Sequence, residues 1–141
     1  MNKKNEVKLE KDALKGVHIL LVEDEELINR MYNRILEKSG ATIDIAYDGL
    51  QAISLLKEPI PDIILLDLMM PRVNGFEFLR SLRSMEKLSG IPVIIISNLK
   101  DRPADIKMLS ELGISDFLTK SDTSLDELVE RIKIRTKKVY F

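Results

Sequence analysis

Apolar and polar positions alternate in blocks along this chain, and the shortest apolar blocks predict strands. Five runs of four to six mostly apolar residues are each bounded by turn-forming or charged residues. Runs of this length with such boundaries are typical of buried strands. The predicted strands cover residues 17–22, 41–46, 62–66, 92–96 and 115–118.

Apolar residues at helical spacing follow the first strand. Leu27, Met31, Ile35 and Leu36 recur at this spacing and predict a helix that packs on the core through them. Gly40 is the predicted end of this helix, because glycine commonly ends helices.

Polar residues mark the starts of two later helices. Asp48 is a predicted N-cap of the second helix, and Ser124 with Glu127 has the form of a capping box at the start of the fifth. Helical spacing predicts the third and fourth helices between them, the fourth over residues 104–112. Strand and helix therefore alternate five times.

This alternation predicts an α/β fold. Because crossovers between parallel strands are right-handed, we expect a doubly wound five-stranded parallel sheet with helices on both faces. Residues 1–16 are polar and lysine-rich, and we expect them to form a frayed extension or a short helix that lies outside the core. Residues 17–136 then form the single domain, and 137–141 form a tail.

Composition narrows the classes of function. The chain has 141 residues, a net charge of −1, one histidine and no cysteine. Disulfides, thiolate or histidine-rich metal sites and a strongly basic nucleic-acid surface are therefore excluded. No signal-peptide core and no bilayer-spanning apolar run is found, so we expect a cytoplasmic protein without membrane contact.

Chemically active side chains follow the predicted strands. Glu23 and Asp24 come after the first strand, Asp67 after the third, Ser97 after the fourth and Lys120 after the fifth. The carboxyl ends of parallel strands lie at one edge of the sheet, where ligands bind, and acids after the first and third strands meet if those strands are neighbours. Each of these residues alone is an ordinary cap, loop acid or solvated lysine, but their joint placement predicts a site.

The residue types indicate phosphoryl chemistry. Three carboxylates in one space repel one another, and a hard cation such as Mg²⁺ relieves that repulsion. A carboxylate such as Asp67 is a competent nucleophile toward phosphorus and forms an aspartyl phosphate. Lys120 and Ser97 offer a charge and a hydroxyl donor to phosphate oxygens.

These residues and their order resemble the response-regulator receiver domain of two-component signalling. The resemblance covers about residues 17–136 and rests on the segments VEDEE, LLDLMMPRVNGFEF, VIIISN and DFLTK. Its most specific part is D-x-x-M-P-x-x-x-G, formed by Asp67, Met70, Pro71 and Gly75. The resemblance implies a flavodoxin-like sheet with strand order 2-1-3-4-5 and five helices.

The resemblance also implies a phosphoryl acceptor and a metal site. Asp67 takes the phosphoryl group from a histidine kinase or a histidine phosphotransfer protein. The metal, Mg²⁺ or Mn²⁺, is held directly by Asp24, Asp67 and the backbone carbonyl of Met69, whereas Glu23 acts on it mainly through water.

Further residues are implied to sense the phosphoryl group. Ser97 and Lys120 bind its oxygens, and Phe117 is the aromatic residue that reorients when Ser97 moves. An unidentified downstream protein then reads a surface within about residues 104–137. The chain is expected to act as a monomer or as a phosphorylation-dependent dimer.

This sequence departs from the family pattern in two places. Ser121 follows Lys120, where many members have proline. Met69 and Leu99 stand at the positions that flank the attacking water in the family. Both are apolar and cannot orient water, so we expect slow self-dephosphorylation.

The sequence therefore predicts a stand-alone receiver that catalyses only its own phosphorylation and dephosphorylation. One alternative is a phosphorelay intermediate that passes the group onward. A second is an aspartyl-phosphate hydrolase, which needs a second carboxylate two residues after the nucleophile, where Met69 stands. A third is a scaffold that is no longer phosphorylated, although every expected site residue is present.

Overall fold

Five strands and five α-helices alternate along the chain. The structure is a computed structural model and describes residues 12–57, 59–68, 74–98 and 103–137. None of its described helices is both long and apolar enough to cross a membrane. The strands are β1 His18–Val22, β2 Thr42–Ala46, β3 Ile63–Leu66, β4 Val93–Ser97 and β5 Asp116–Thr119. The helices are α1 Glu26–Lys38, α2 Gly49–Ser54, α3 Gly75–Ser84, α4 Pro103–Leu112 and α5 Leu125–Thr136.

The sheet has the predicted architecture. All four strand pairings are parallel, and the strand order is β2-β1-β3-β4-β5. Val22 pairs with Ala46 on one side and with Leu66 on the other, so the carboxyl ends of the central strands lie level. The fold class and the implied strand order are therefore confirmed.

Helices cover both faces of this sheet, because the central strands are apolar on both sides. Leu20 and Leu66 belong to one buried cluster, which includes residues of α3 and Leu109 of α4. Leu21 and Leu65 belong to a second cluster, which includes residues of α1 and α5. The edge that carries the candidate site therefore rests on two packed layers.

Side-chain caps fix three helix starts. Asp48 accepts a hydrogen bond from the amide of Gln51 at 2.8 Å, and Ser124 accepts one from the amide of Glu127 at 3.1 Å, as predicted. Asn74 caps α3 in the same way through the amide of Glu77 at 3.0 Å. This third cap lies seven positions after Asp67 and fixes the start of the helix beside it.

The predicted core face of α1 is partly wrong. Leu27 is 79% exposed and Met31 is 47% exposed, whereas Leu36 is buried as expected. The buried face instead carries Tyr32 and the polar Asn29. Apolar residues form two overlapping stripes along this helix. The stripe that packs on the sheet is the one that also carries the buried Asn29.

The core also begins earlier than predicted. Leu14 was expected to lie in an extension outside the core, but its side chain is fully buried. Its amide donates a hydrogen bond to the carbonyl of Ser39 at 2.7 Å. A single leucine in a polar segment has no periodicity, which is why the pattern did not identify it. Residues 1–11 and 138–141 lie outside the described part of the chain.

Candidate functional site

The ends of β1 and β3 bring two acids together. The amide of Asp67 donates to the carbonyl of Val22 at 3.0 Å, which extends the pairing of β1 and β3 by one residue. The amide of Glu23 donates to the carbonyl of Ala46 at 3.0 Å on the other side. Backbone hydrogen bonds of the sheet therefore fix Glu23 and Asp67 side by side.

Three acids at this edge can surround one cation. One carboxylate oxygen each from Glu23, Asp24 and Asp67 lies within 4.8 Å of the others. Glu23 is 2% exposed and Asp67 is 5% exposed, whereas Asp24 is more open to solvent. An oxygen-only cluster with one open side suits Mg²⁺ or Mn²⁺, so these residues fit the implied metal. The predicted carbonyl ligand, Met69, lies outside the described residues.

Lys120 extends from the end of β5 into this acidic cluster. Its ammonium contacts Glu23 Oε1 and lies 3.3 Å from Asp67 Oδ2 and 3.7 Å from Glu25 Oε1. The side chain is only 9% exposed. Lys120 thus reaches the acids with Ser121, rather than proline, after it.

Burial and mutual contact shift the pKa values of Glu23 and Lys120. Burial raises the pKa of Glu23 to about 7, the charge of Asp67 adds to the rise, and the hydrogen bond from Lys120 opposes it. Burial alone would lower the pKa of Lys120, but its hydrogen bond with Glu23 and the charge of Asp67 raise it overall. The ammonium therefore remains charged at neutral pH. A cation held by Glu23 would displace a proton from its carboxyl group.

Ser97 and Phe117 lie on the other half of the sheet. Ser97 is fully buried at the end of β4, and its carbonyl accepts a hydrogen bond from the amide of Lys120 at 3.2 Å. Phe117 lies on β5, pairs with Ile95 of β4, and is half-buried against the cluster that contains Leu109. Ser97 thus lies at the same edge as the acids, whereas Phe117 lies three residues behind Lys120 toward α4.

Gly75 lets α3 start directly against the acceptor. Its amide donates to the carbonyl of Leu68 at 3.1 Å. A Cβ at Gly75 would lie 2.6 Å from the Asp67 carbonyl oxygen and 2.6 Å from the Leu68 Cα atom, which is closer than real Cβ atoms come. This confirms that glycine is needed here for close backbone approach. Met70 and Pro71 lie outside the described residues.

Two residues beside the acids were not identified from the sequence. Asn29 of α1 is 2% exposed, and its Nδ2 donates to the carbonyl of Glu23 at 2.7 Å. Glu25, the N-cap residue of α1, donates its amide to Glu23 Oε2 at 3.1 Å. Asn29 could have been found, because it lies three residues before Tyr32 and seven before Leu36 on one helix face.

Comparison with known protein families matches residues 19–133 to the response regulator receiver domain. The chain is 40% identical, over 114 residues, to the uncharacterized transcriptional regulatory protein YcbL of Bacillus subtilis (strain 168), which covers 81% of this chain and 48% of that protein. It is 36% identical over 114 residues to hybrid signal transduction histidine kinase D of Dictyostelium discoideum, covering 81% of this chain and 7% of the kinase. The chain thus spans less than half the length of either protein.

Solved structures show the same fold. The Francisella response regulator 1452 receiver domain is 32% identical, with a TM-score of 0.76 over 86% of this chain and 97% of that one. The Mn²⁺-bound form of response regulator Rcp1 is 31% identical, with a TM-score of 0.73 over 83% of this chain and 91% of that one.

Proposed function

Because this chain belongs to the response regulator receiver domain family, we propose that it is a signalling switch driven by phosphorylation of Asp67. One observation carries the proposal: the buried Asp67 carboxylate lies beside Glu23 and Asp24 and 3.3 Å from the Lys120 ammonium. A nucleophile, a cation site and a positive charge are thus within reach of one phosphoryl group.

The reaction needs little covalent chemistry from the protein. An Asp67 carboxylate oxygen forms a bond to phosphorus while the P–N bond to the imidazole of a phosphohistidine donor breaks, and the leaving nitrogen takes a proton. Lys120 balances the charge of the phosphoryl oxygens. Mg²⁺ or Mn²⁺, held by Glu23, Asp24, Asp67 and the carbonyl of Met69, supplies further charge stabilisation when bound. The donor is a histidine kinase or a histidine phosphotransfer protein.

Phosphorylation of Asp67 changes the part of the protein that contains α4 and α5. Ser97 binds a phosphoryl oxygen together with Lys120, and Phe117 changes its side-chain position when Ser97 moves. The half-buried setting of Phe117 supports this role, because it leaves room for a more exposed and a more buried rotamer. A downstream protein reads a surface within about residues 104–137, where Ile106 is 48% exposed and Ile134 is 55% exposed.

A phosphorelay intermediate is the alternative with the same site chemistry. It differs in passing the phosphoryl group to a second histidine rather than changing a partner's affinity. An aspartyl-phosphate hydrolase is disfavoured because Met69 stands where its second carboxylate is needed.

Incubation with acetyl phosphate and Mg²⁺, followed by intact-mass measurement, tests the proposal. We expect a gain of one phosphoryl group that Asp67→Asn abolishes and that Asp122→Asn, an exposed carboxylate near Lys120 in sequence, leaves unchanged. Continuous phosphate release over many turnovers would instead identify a hydrolase. No gain of mass under any condition would identify a scaffold.

A further inference from the structure

Asn29 connects the start of α1 to the acidic pair at the end of β1. We propose that Asn29 is a positioning residue, which holds the turn of Glu23 and Asp24 in the shape that a divalent cation needs. This inference rests on the proposed function, since it concerns the same site. Asn29 itself offers no ligand to the cation in this proposal.

Two hydrogen bonds of Asn29 bracket the turn. Its side-chain Nδ2 donates to the carbonyl of Glu23 at 2.7 Å. Its backbone amide donates to the carbonyl of Glu25 at 3.0 Å. The second bond is the ordinary first hydrogen bond of the helix, so only the bond to the Glu23 carbonyl depends on the Asn29 side chain, which is 2% exposed.

The fold itself gains little from this asparagine. Asn29 Nδ2 must face Glu23 because a carbonyl only accepts, and this leaves Asn29 Oδ1 buried with no hydrogen-bond partner among the described residues. Leaving a buried acceptor without a partner costs as much as one neutral hydrogen bond contributes, or more. Asparagine is also a weaker helix former than leucine. An apolar residue of similar volume would remove this unpaired oxygen but would leave the Glu23 carbonyl without its donor, so the two costs roughly offset each other.

The turn of Glu23 and Asp24 gains more from Asn29 than the rest of the fold does. Asp24 is the most exposed of the three acids, so few packing contacts hold its side chain, and the backbone of the turn sets the position from which its carboxylate extends. With the Glu23 carbonyl fixed, oxygens of Glu23, Asp24 and Asp67 already lie within 4.8 Å of one another. A cation then binds without first ordering the turn, and such preorganisation raises affinity.

The test separates cation affinity from fold stability. Mg²⁺ and Mn²⁺ dissociation constants are measured by calorimetry for the full chain, and Tm is measured in EDTA. We expect Asn29→Leu to weaken both cations about 10-fold or more, in the range seen when residues that orient metal ligands are changed. Its Tm in EDTA should stay close to that of the wild type, because the unpaired Asn29 Oδ1 and the lost donor to the Glu23 carbonyl have similar costs. Asn29→Gln keeps an amide donor and should recover part of the affinity.

Asn33→Leu is the matched control. Asn33 lies one turn further along α1 and donates to Glu37 at 3.1 Å, away from the acids, so its replacement should leave cation affinity unchanged. Wild-type affinity in Asn29→Leu would overturn the proposal. So would a loss of folding or a large fall in Tm, because either would make Asn29 a residue of the core.

Failure of the inference is distinguishable from failure of the proposed function. If the wild type neither binds Mg²⁺ nor accepts a phosphoryl group from acetyl phosphate, the proposed function fails and the inference fails with it. If the wild type does both and Asn29→Leu binds Mg²⁺ equally well, only the role of Asn29 is wrong.

Discussion

The ammonium of Lys120 contacts the carboxylate of Glu23, although two strands of the sheet separate β5 from β1. Asp67 lies between them at 3.3 Å from the same ammonium. Lys120 therefore balances part of the acidic charge in the protein without metal. A cation at the acids and a phosphoryl group on Asp67 both change what this ammonium contacts.

Replacement of Lys120 should separate metal binding from phosphoryl transfer. In Lys120→Met, the phosphoryl oxygens lose their ammonium partner, and the initial rate of phosphorylation by acetyl phosphate should fall about 100-fold. Mg²⁺ affinity should stay the same or rise, because the ammonium no longer competes for Glu23 and Asp67. Phosphorylation is followed by intact mass and metal binding by calorimetry. A Lys120→Met protein that is phosphorylated at the wild-type rate would contradict the role of Lys120.

Stability without metal should fall as the pH rises. The folded protein raises the pKa of Glu23 from 4.5 to about 7, so between these values it binds more protons at Glu23 than the unfolded chain does. The additional protonation raises the free energy of unfolding by at most about 3 kcal/mol. This stabilisation is present at pH 5 and is lost by pH 8. Urea unfolding in EDTA at both pH values measures this slope. Glu23→Gln should abolish Glu23's share of it.

Mg²⁺ should counteract this loss. Because the cation binds the deprotonated carboxylate, saturating Mg²⁺ should raise the unfolding free energy more at pH 8 than at pH 6. The same urea titrations with and without Mg²⁺ provide the comparison. A larger effect of Mg²⁺ at pH 6 would show that Glu23 is not the group that exchanges its proton for the metal.

Gly75→Ala should disturb the surroundings of Asp67, although it adds only one methyl group. The new methyl group would lie 2.6 Å from the Asp67 carbonyl oxygen, so α3 must shift away from the loop. We expect a loss of about 2 kcal/mol in unfolding free energy and a slower phosphorylation of Asp67. Gly90→Ala is the control, because a Cβ there meets nothing within 4 Å. Equal stability of the two variants would refute this reading of Gly75.

The aspartyl phosphate should decay slowly. Met69 and Leu99 are apolar and cannot orient an attacking water, so Met69→Asn should shorten the lifetime of the phosphorylated protein. Intact mass at intervals after removal of the donor measures the decay. Rapid decay of the wild type, unchanged by substitution at Met69 or Leu99, would argue against this explanation.

Sequence reasoning placed the acids correctly because parallel strands end at the same edge of the sheet, so the residues that follow those strands lie at that edge. Asp67 and Glu23 each follow an apolar run, and they meet because β1 and β3 are neighbours, which the resemblance implied and the apolar pattern alone did not. Lys120 was assigned to the same edge because it follows the fifth predicted strand, although β5 is not adjacent to β1. Its contact with Glu23 depends on side-chain length and charge, which the pattern of apolar positions does not contain.

The errors have physical causes as well. Leu27 and Met31 were assigned to the core because helical spacing shows that a stripe exists but not which of two stripes packs. Asn29 was missed because a polar residue on a buried helix face looks like an interruption of the pattern. Leu14 was missed because a single buried leucine in a polar segment shows no periodic apolar pattern.

Chemical trapping of the acceptor tests the central claim most directly. Borohydride reduces an aspartyl phosphate to homoserine, which peptide mass spectrometry locates in the chain. After incubation with a phosphodonor and Mg²⁺, we expect homoserine at position 67 and at no other acidic residue. Homoserine at another aspartate, or none at all in protein that binds Mg²⁺, would contradict the assignment of Asp67 as the phosphoryl acceptor.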